Sequence, residues 1–169
     1  MEEQQSLQQQ FIESYDVLSD AIFKHCFFRV SDRDVALDLM QETFMKTWRY
    51  LQEGKDIHDV RAFLYKVANN LIIDFYRKKK SVSLDEITEG DENSFQPTDD
   101  SFEEIFSKAE LQQIMKMIQN LEEPYRQAII MRYIDGLSPQ EIAEIIGESA
   151  NNISVRITRG LEKIREQMN

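Results

Sequence analysis

One run of 27 residues, Ser81–Ser107 ("SVSLDEITEGDENSFQPTDDSFEEIFS"), carries nine Asp/Glu and neither Lys nor Arg. Carboxylates at that density repel one another, and Gly90 and Pro97 interrupt any regular element. No 3.6-residue period is sustained, so the pattern predicts a flexible acidic linker over 81–107. A single core cannot run through such a segment. The apolar residues must instead build two smaller modules, 1–80 and 108–169.

The charge distribution agrees. Residues 1–80 hold 12 Lys/Arg against 13 Asp/Glu, and residues 108–169 hold 8 against 9. Nearly all of the formal −11 therefore belongs to the linker. Each flanking module is close to neutral and free to present a basic face, because the local field and not the total decides what is attracted.

Composition fixes the class of fold. Hydrophobic residues make up 41% of the 169, enough for packed cores, while glycine (5) and proline (3) are scarce. That balance favours an all-α protein over many-turned β architectures. No apolar run reaches the ~20 residues of a membrane span, so no membrane insertion is expected. The segment "MEEQQSLQQQ" is too polar for a secretory leader, and the single Cys26 excludes an internal disulfide. Both point to a cytoplasmic protein. His25, Cys26 and His58 have no ligand spacing, and no P-loop or nucleophile–base pair occurs. Hence no metal, cofactor, small-molecule substrate or enzymatic activity is expected.

The C-terminal module reads as a series of helices with explicit start and stop signals. Leu111, Ile114, Met115, Ile118 and Leu121 form one stripe. Pro124 suits a first turn, Ala128, Ile129, Met131 and Ile134 supply core, and Gly136 ends the helix. Ser138 with Glu141 makes a capping box, Pro139 takes the first helical position, and Gly147 suits a left-handed stop. Ile142, Ala143, Ile145 and Ile146 point inward. Ser149 caps a last helix with Ile153, Ile157, Leu161, Ile164 and Met168 on its inner side. Two helices across so tight a turn have the pattern of a helix-turn-helix. The outer face carries Asn151, Asn152, Ser154, Val155, Thr158 and Arg159. Asparagine can pair with adenine, arginine with guanine, and Val155 or the Thr158 methyl with a thymine methyl. Arg156, Lys163 and Arg165 suit phosphates. The same spacing also fits a plain helical packing unit with a solvated face.

The N-terminal module holds two strong amphipathic helices. In "DRDVALDLMQETFMKTWRYL" the apolar stripe is Ala36, Leu37, Met40, Phe44, Trp48 and Leu51, and the outer face offers Asp38, Gln41, Glu42, Met45 and Arg49. In "VRAFLYKVANNLIIDFYRKKK" the core residues are Phe63, Leu64, Val67, Ala68, Leu71, Ile72 and Phe75. Arg61, Lys66 and Arg77 to Lys80 give it a basic end, with Tyr65 and Tyr76 nearby. Cations with aromatic rings suit single-stranded nucleic acid, although a basic last turn also complements the helix dipole. The loop Gln52–Asp59 could cup an unstacked base.

The order "ALDLMQETFMKTW", "RAFLYKVANNLIIDFYRKKK", acidic linker and "LEEPYRQAIIMRYIDGLSPQEIAEIIGESANNISVRITRGLEKIRE" resembles a bacterial sigma factor of the sigma-70 family. Its brevity resembles the extracytoplasmic-function (ECF) group. The resemblance implies two helical domains, an N-terminal bundle and a C-terminal helix-turn-helix domain, that bind core RNA polymerase and promoter DNA to initiate transcription. Asp38, Leu39, Gln41, Glu42 and Phe44 match the segment that docks on core polymerase. Phe44 lies on the apolar stripe, which leaves Met45 as the outward apolar residue there. Arg61, Lys66, Asn70, Arg77, Lys78, Lys79 and Lys80 fall in the −10 reading and melting helix, with Asn70 near the captured base. Asn151, Asn152, Ser154, Val155, Arg156, Thr158 and Arg159 fall in the −35 helix, whose module also binds the polymerase flap.

Relatives of this kind are commonly held by an anti-sigma factor, so that partner is implied too. Ser154, Val155, Gly160 and Leu161 depart from the family's more basic pattern, which implies a weaker phosphate grip and an unfamiliar −35 preference. Two other readings stay open at this point: a stand-alone helix-turn-helix regulator, and a sigma-like decoy that titrates an anti-sigma factor.

Overall fold

The structure, a computed structural model, describes residues 1–83 and 107–169, with 82 and 83 described by backbone alone. The expected linker therefore lies almost wholly outside the described residues. Its two ends do not: 81–83 complete a helix, and Ser107 is the cap of the next. The chain divides into two compact units, Met1–Glu89 and Gly90–Asn169.

The first unit packs three helices, α1 (Glu2–Val30), α2 (Arg33–Gln52) and α3 (Val60–Ser83). α1 stops because Ser31 turns left-handed (φ 58°) and its N–H donates to the Phe27 carbonyl. Asp32 then starts α2 by accepting the Val35 amide at 3.1 Å. A connection this short forces α1 and α2 to run antiparallel. The Asp59 carboxylate receives the Ala62 amide at 3.1 Å at the start of α3. Ile22 and Cys26 of α1, Ala36, Met40 and Phe44 of α2, and Leu64, Ala68 and Ile72 of α3 make the core. Phe11 lies against Trp48 and Tyr15 against Phe44, with ring centroids 5.0 and 4.8 Å apart.

Two buried hydroxyls of this core are satisfied on their own helix. The hydroxyls of Thr43 and Thr47 donate one turn back, to the carbonyls of Leu39 (2.7 Å) and Thr43 (2.8 Å). The buried Arg29 donates to the Asn69 side chain at 3.1 Å, and the Tyr76 hydroxyl donates to the Arg29 carbonyl. His25, fully buried, meets the Tyr65 ring edge-on at 5.3 Å. The network ties α1 to α3, where an unpaired charge or amide would cost several kcal/mol.

The second unit contains α4 (Lys108–Gln119), α5 (Glu123–Ile129) running into a π-helical turn (Ile130–Ile134), α6 (Pro139–Ile146) and α7 (Ala150–Met168). Gln127 to Met131 are buried in succession, so the end of α5 and the start of the π turn are enclosed and form the central strut of the unit. Both expected stop signals take positive φ, Gly136 at 69° and Gly147 at 83°. The capping box at Ser138–Glu141 is formed, each amide meeting the other's side chain at 3.2 Å. Ser149 caps α7 by accepting the Asn152 amide. The fold is all-α, with no strand among the described residues.

Four expectations need correction. Leu39 is buried, and so are Thr43 and Thr47, while Leu37, Trp48 and Leu51 are only half-buried. α1 packs beside α3 on α2 and widens its covered arc past the apolar stripe. Tyr65 is 1% exposed, so it belongs to the core and not to a basic–aromatic surface. Met168 stands 69% exposed, beyond the length of α7 that the unit covers. Finally, the polar, Gln-rich α1 was not anticipated as an element, because its first turns carry no apolar stripe.

Candidate nucleic-acid interface

Three surfaces collect the candidate residues, two on the first unit and one on the second. On α7, the Ser149 cap and the buried Ile153, Ile157 and Gly160 fix which side faces in. Asn151, Asn152, Ser154, Val155, Thr158 and Arg159 consequently all lie exposed. Arg156 does not join them freely. It is half-buried and ion-paired with Glu148, the residue just before the Ser149 cap. Ser154, Val155, Thr158, Arg159 and Glu162 line a shallow concavity of about 320 Å³. The Lys163 ammonium sits over the Tyr125 ring, 5.2 Å from its centroid.

On α3, Lys66, Asn70, Arg77, Lys78, Lys79 and Lys80 are exposed. Helical rise spreads Lys66 to Lys80 over roughly 21 Å, a length suited to several backbone phosphates. Arg61 is half-buried, its guanidinium 5.8 Å from the Tyr65 ring centroid. At the start of the helix, Tyr50 and Phe63 pack with ring centroids 4.8 Å apart. Lys55 of the intervening loop lies over Tyr50 at 4.9 Å and pairs with Glu53 at 2.7 Å. The hydrogen bond and charge of Glu53 raise the Lys55 pKa, so its ammonium stays charged at any physiological pH. The sequence reading missed this aromatic–cation cluster. Tyr50, Lys55 and Phe63 are dispersed along the chain, and only the α2–α3 turn brings them together.

On α2, Asp38, Gln41, Glu42 and Met45 form one exposed stripe at helical spacing, with Met45 54% exposed. Leu39 is removed from that stripe by its burial. A charged and amide-bearing strip around one apolar side chain is a protein-docking pattern more than a nucleic-acid one.

The second unit has one further feature. A groove of about 500 Å³ runs between α4, the π turn and the end of α7. Ile114, Met117, Tyr133, Ile134, Leu161 and Met168 line it, so it is mostly apolar. No group of three metal-ligating side chains occurs among the described residues. None of their helices is long and apolar enough to cross a membrane.

Comparison with known proteins gives these surfaces a context. Residues 15–82 match the family described as Sigma-70 region 2, and residues 111–164 match Sigma-70, region 4. The ECF RNA polymerase sigma factor SigW of Bacillus subtilis (strain 168) is 33% identical, over 95% of this chain and 90% of that protein. The RNA polymerase sigma factor SigZ of the same organism is also 33% identical, over 82% of this chain and 75% of its own. Among solved structures, the sigma factor RpoE from Bartonella quintana, in complex with the anti-sigma factor NepR, superposes with a TM-score of 0.78. It is 23% identical, over 95% of this chain and 97% of that one, and it supports the fold.

Proposed function

The chain belongs to the sigma-70 family, in its ECF group, and from that premise we propose how its surfaces divide the work of initiation. It binds core RNA polymerase and directs it to a class of promoters. The functional parts are an N-terminal domain ending with α3, the acidic linker and the C-terminal domain beginning at the Ser107 cap. The stripe Asp38, Gln41, Glu42 and Met45 is the surface for core polymerase. Leu39 supports that helix from inside.

The α3 surface takes the −10 element as separated strand. Lys66, Arg77, Lys78, Lys79 and Lys80 hold phosphates, and Asn70 meets the captured base. The Tyr50–Phe63 pair offers a flat partner for an unstacked base, with the Lys55 charge beside it. Each phosphate neutralised releases counterions, which drives binding at low salt. α7 takes the −35 element as duplex, with Asn151, Asn152, Ser154, Val155, Thr158 and Arg159 toward the base edges. The apolar groove between α4 and α7 receives the polymerase flap.

Separate units for the two elements require a tether. Between the end of α3 and the Ser107 cap lie residues 84–106, a length of chain that reaches at most ~80 Å, and two turns of duplex are roughly 70 Å. An anti-sigma factor would hold the free protein inactive by covering the α2 and groove surfaces. RpoE of Bartonella quintana is itself seen with such a partner.

The observation that carries this reading is the pairing of an exposed polar face on α7 with a basic strip on α3, on two units of one chain. The test is co-migration of the full chain with core polymerase in gel filtration at low salt. The wild type should co-migrate stoichiometrically, and a Gln41→Arg/Met45→Asp double variant should not. Absence of wild-type co-migration would remove the basis for the assignment.

A further inference from the structure

The exposed centre of the α7 reading face is apolar. Val155 stands 39% exposed, one helical turn from Thr158. The Thr158 hydroxyl donates to the Ser154 carbonyl at 3.1 Å, so its proton is spent on the helix backbone. The oxygen can then only accept, and beside it Thr158 presents its methyl. Residues three apart on a helix have Cβ atoms about 5–6 Å apart, so the Val155 and Thr158 methyls form one continuous patch. Both line the same shallow concavity, with Ser154 above and Arg159 and Glu162 below. Arg156, the neighbouring cation, is held by Glu148 at the edge of this face.

From this arrangement we infer that Val155 and Thr158 form a reader for the 5-methyl group of thymine in the major groove of the −35 element. The inference rests on the promoter-binding reading above. Among the four bases only thymine presents a methyl in that groove. An apolar patch between polar ends gains by covering that methyl and loses by facing the amino group of cytosine. Arg159, exposed and without an ion pair among the described residues, then reads a neighbouring guanine. The consequence is a −35 preference anchored on a thymine, set by two side chains that carry no charge.

Deoxyuridine provides the test, since it differs from thymidine only by the methyl. The holoenzyme, full chain plus core polymerase, first selects its −35 sequence from duplexes randomised at that element. Each thymine of the selected site is then replaced singly by deoxyuridine and binding is measured. At one thymine or two, wild-type affinity should fall roughly three- to fivefold, the effect of exposing one buried methyl. The penalty should shrink toward onefold in Thr158→Ser, which keeps the hydroxyl bond and removes only the methyl, or in Val155→Ala. Both positions are exposed, and an unchanged unfolding transition certifies the fold. A selected site with no uracil-sensitive thymine overturns the inference, as does a penalty that keeps its wild-type size in both variants. If the holoenzyme selects no sequence while the chain still binds core, the −35 assignment itself falls with it.

Discussion

Gly160 of α7 and Ile129 of α5 approach so closely that a Cβ at Gly160 would stand 2.8 Å from Cγ1 of Ile129 and 3.0 Å from its Cδ1. Ile129 is buried at the centre of the C-terminal unit, so it has little room to withdraw. The absent side chain thus lets α7 lie directly on the buried end of α5.

Substitution at Gly160 should follow size in a non-trivial way. In Gly160→Ala the gain in helix propensity, about 1 kcal/mol, offsets much of the strain. In Gly160→Val a branched side chain overpacks the same site, and a net loss of about 1–3 kcal/mol is expected. Denaturant unfolding of the full chain measures both. Equal stability of Val and Ala variants would contradict the close approach.

The Glu148–Arg156 ion pair occupies a cation at the edge of the exposed α7 face. Glu148→Gln should free Arg156 for a phosphate and steepen the dependence of log K on log salt by about 0.9. Adding Arg156→Ala should restore the wild-type slope. A slope that ignores Glu148→Gln would show that Arg156 has no phosphate within reach. Stability should change little, by under about 1 kcal/mol, since both side chains keep contact with solvent.

Arg159→Ala should weaken holoenzyme binding at the preferred −35 sequence by about 1–3 kcal/mol and relax specificity at one base pair. Lys79→Ala on α3 should instead weaken all promoters alike and flatten the salt slope. Binding measured across a panel of promoter variants separates the two behaviours. An equal loss on every −35 sequence for Arg159→Ala would reassign that side chain to phosphate.

The cap of α4 gives a pH dependence. Hydrogen bonds from the Ser107 backbone amide and hydroxyl group hold the Glu110 carboxyl below its ordinary value. Because the folded value is the lower one, the contribution is fully present above the ordinary glutamate range. It is lost as pH falls through the depressed value. Fraying of α4, followed by amide exchange, should therefore set in at acid pH in the wild type. Glu110→Gln should remove that onset, and an unaltered acid profile in the variant would exclude Glu110 as its source.

Much of this architecture was legible in local chemistry. Ser138, Glu141, Gly147 and Ser149 announce the helix-turn-helix because caps and left-handed stops depend on neighbours within four residues. The face of α7 followed from the same short-range periodicity. What stayed hidden depends on distant partners. Leu39, Thr43 and Thr47 are buried on a helix that packs against both α1 and α3, and the threonines can be buried because each hydroxyl finds a carbonyl on its own helix. Tyr65 looked like a surface aromatic until His25, forty residues earlier, is placed against it. Arg156 reads as a phosphate ligand until the turn brings Glu148 to it.

Run-off transcription by purified core polymerase, with and without the chain, tests the account at its centre. The template is a promoter recovered by selection with the assembled holoenzyme. The predicted result is a discrete transcript that requires the chain, vanishes with Gln41→Arg/Met45→Asp, and weakens when Lys78, Lys79 and Lys80 are all alanine. Identical transcription with and without the chain, or indifference to both sets of substitutions, would contradict it.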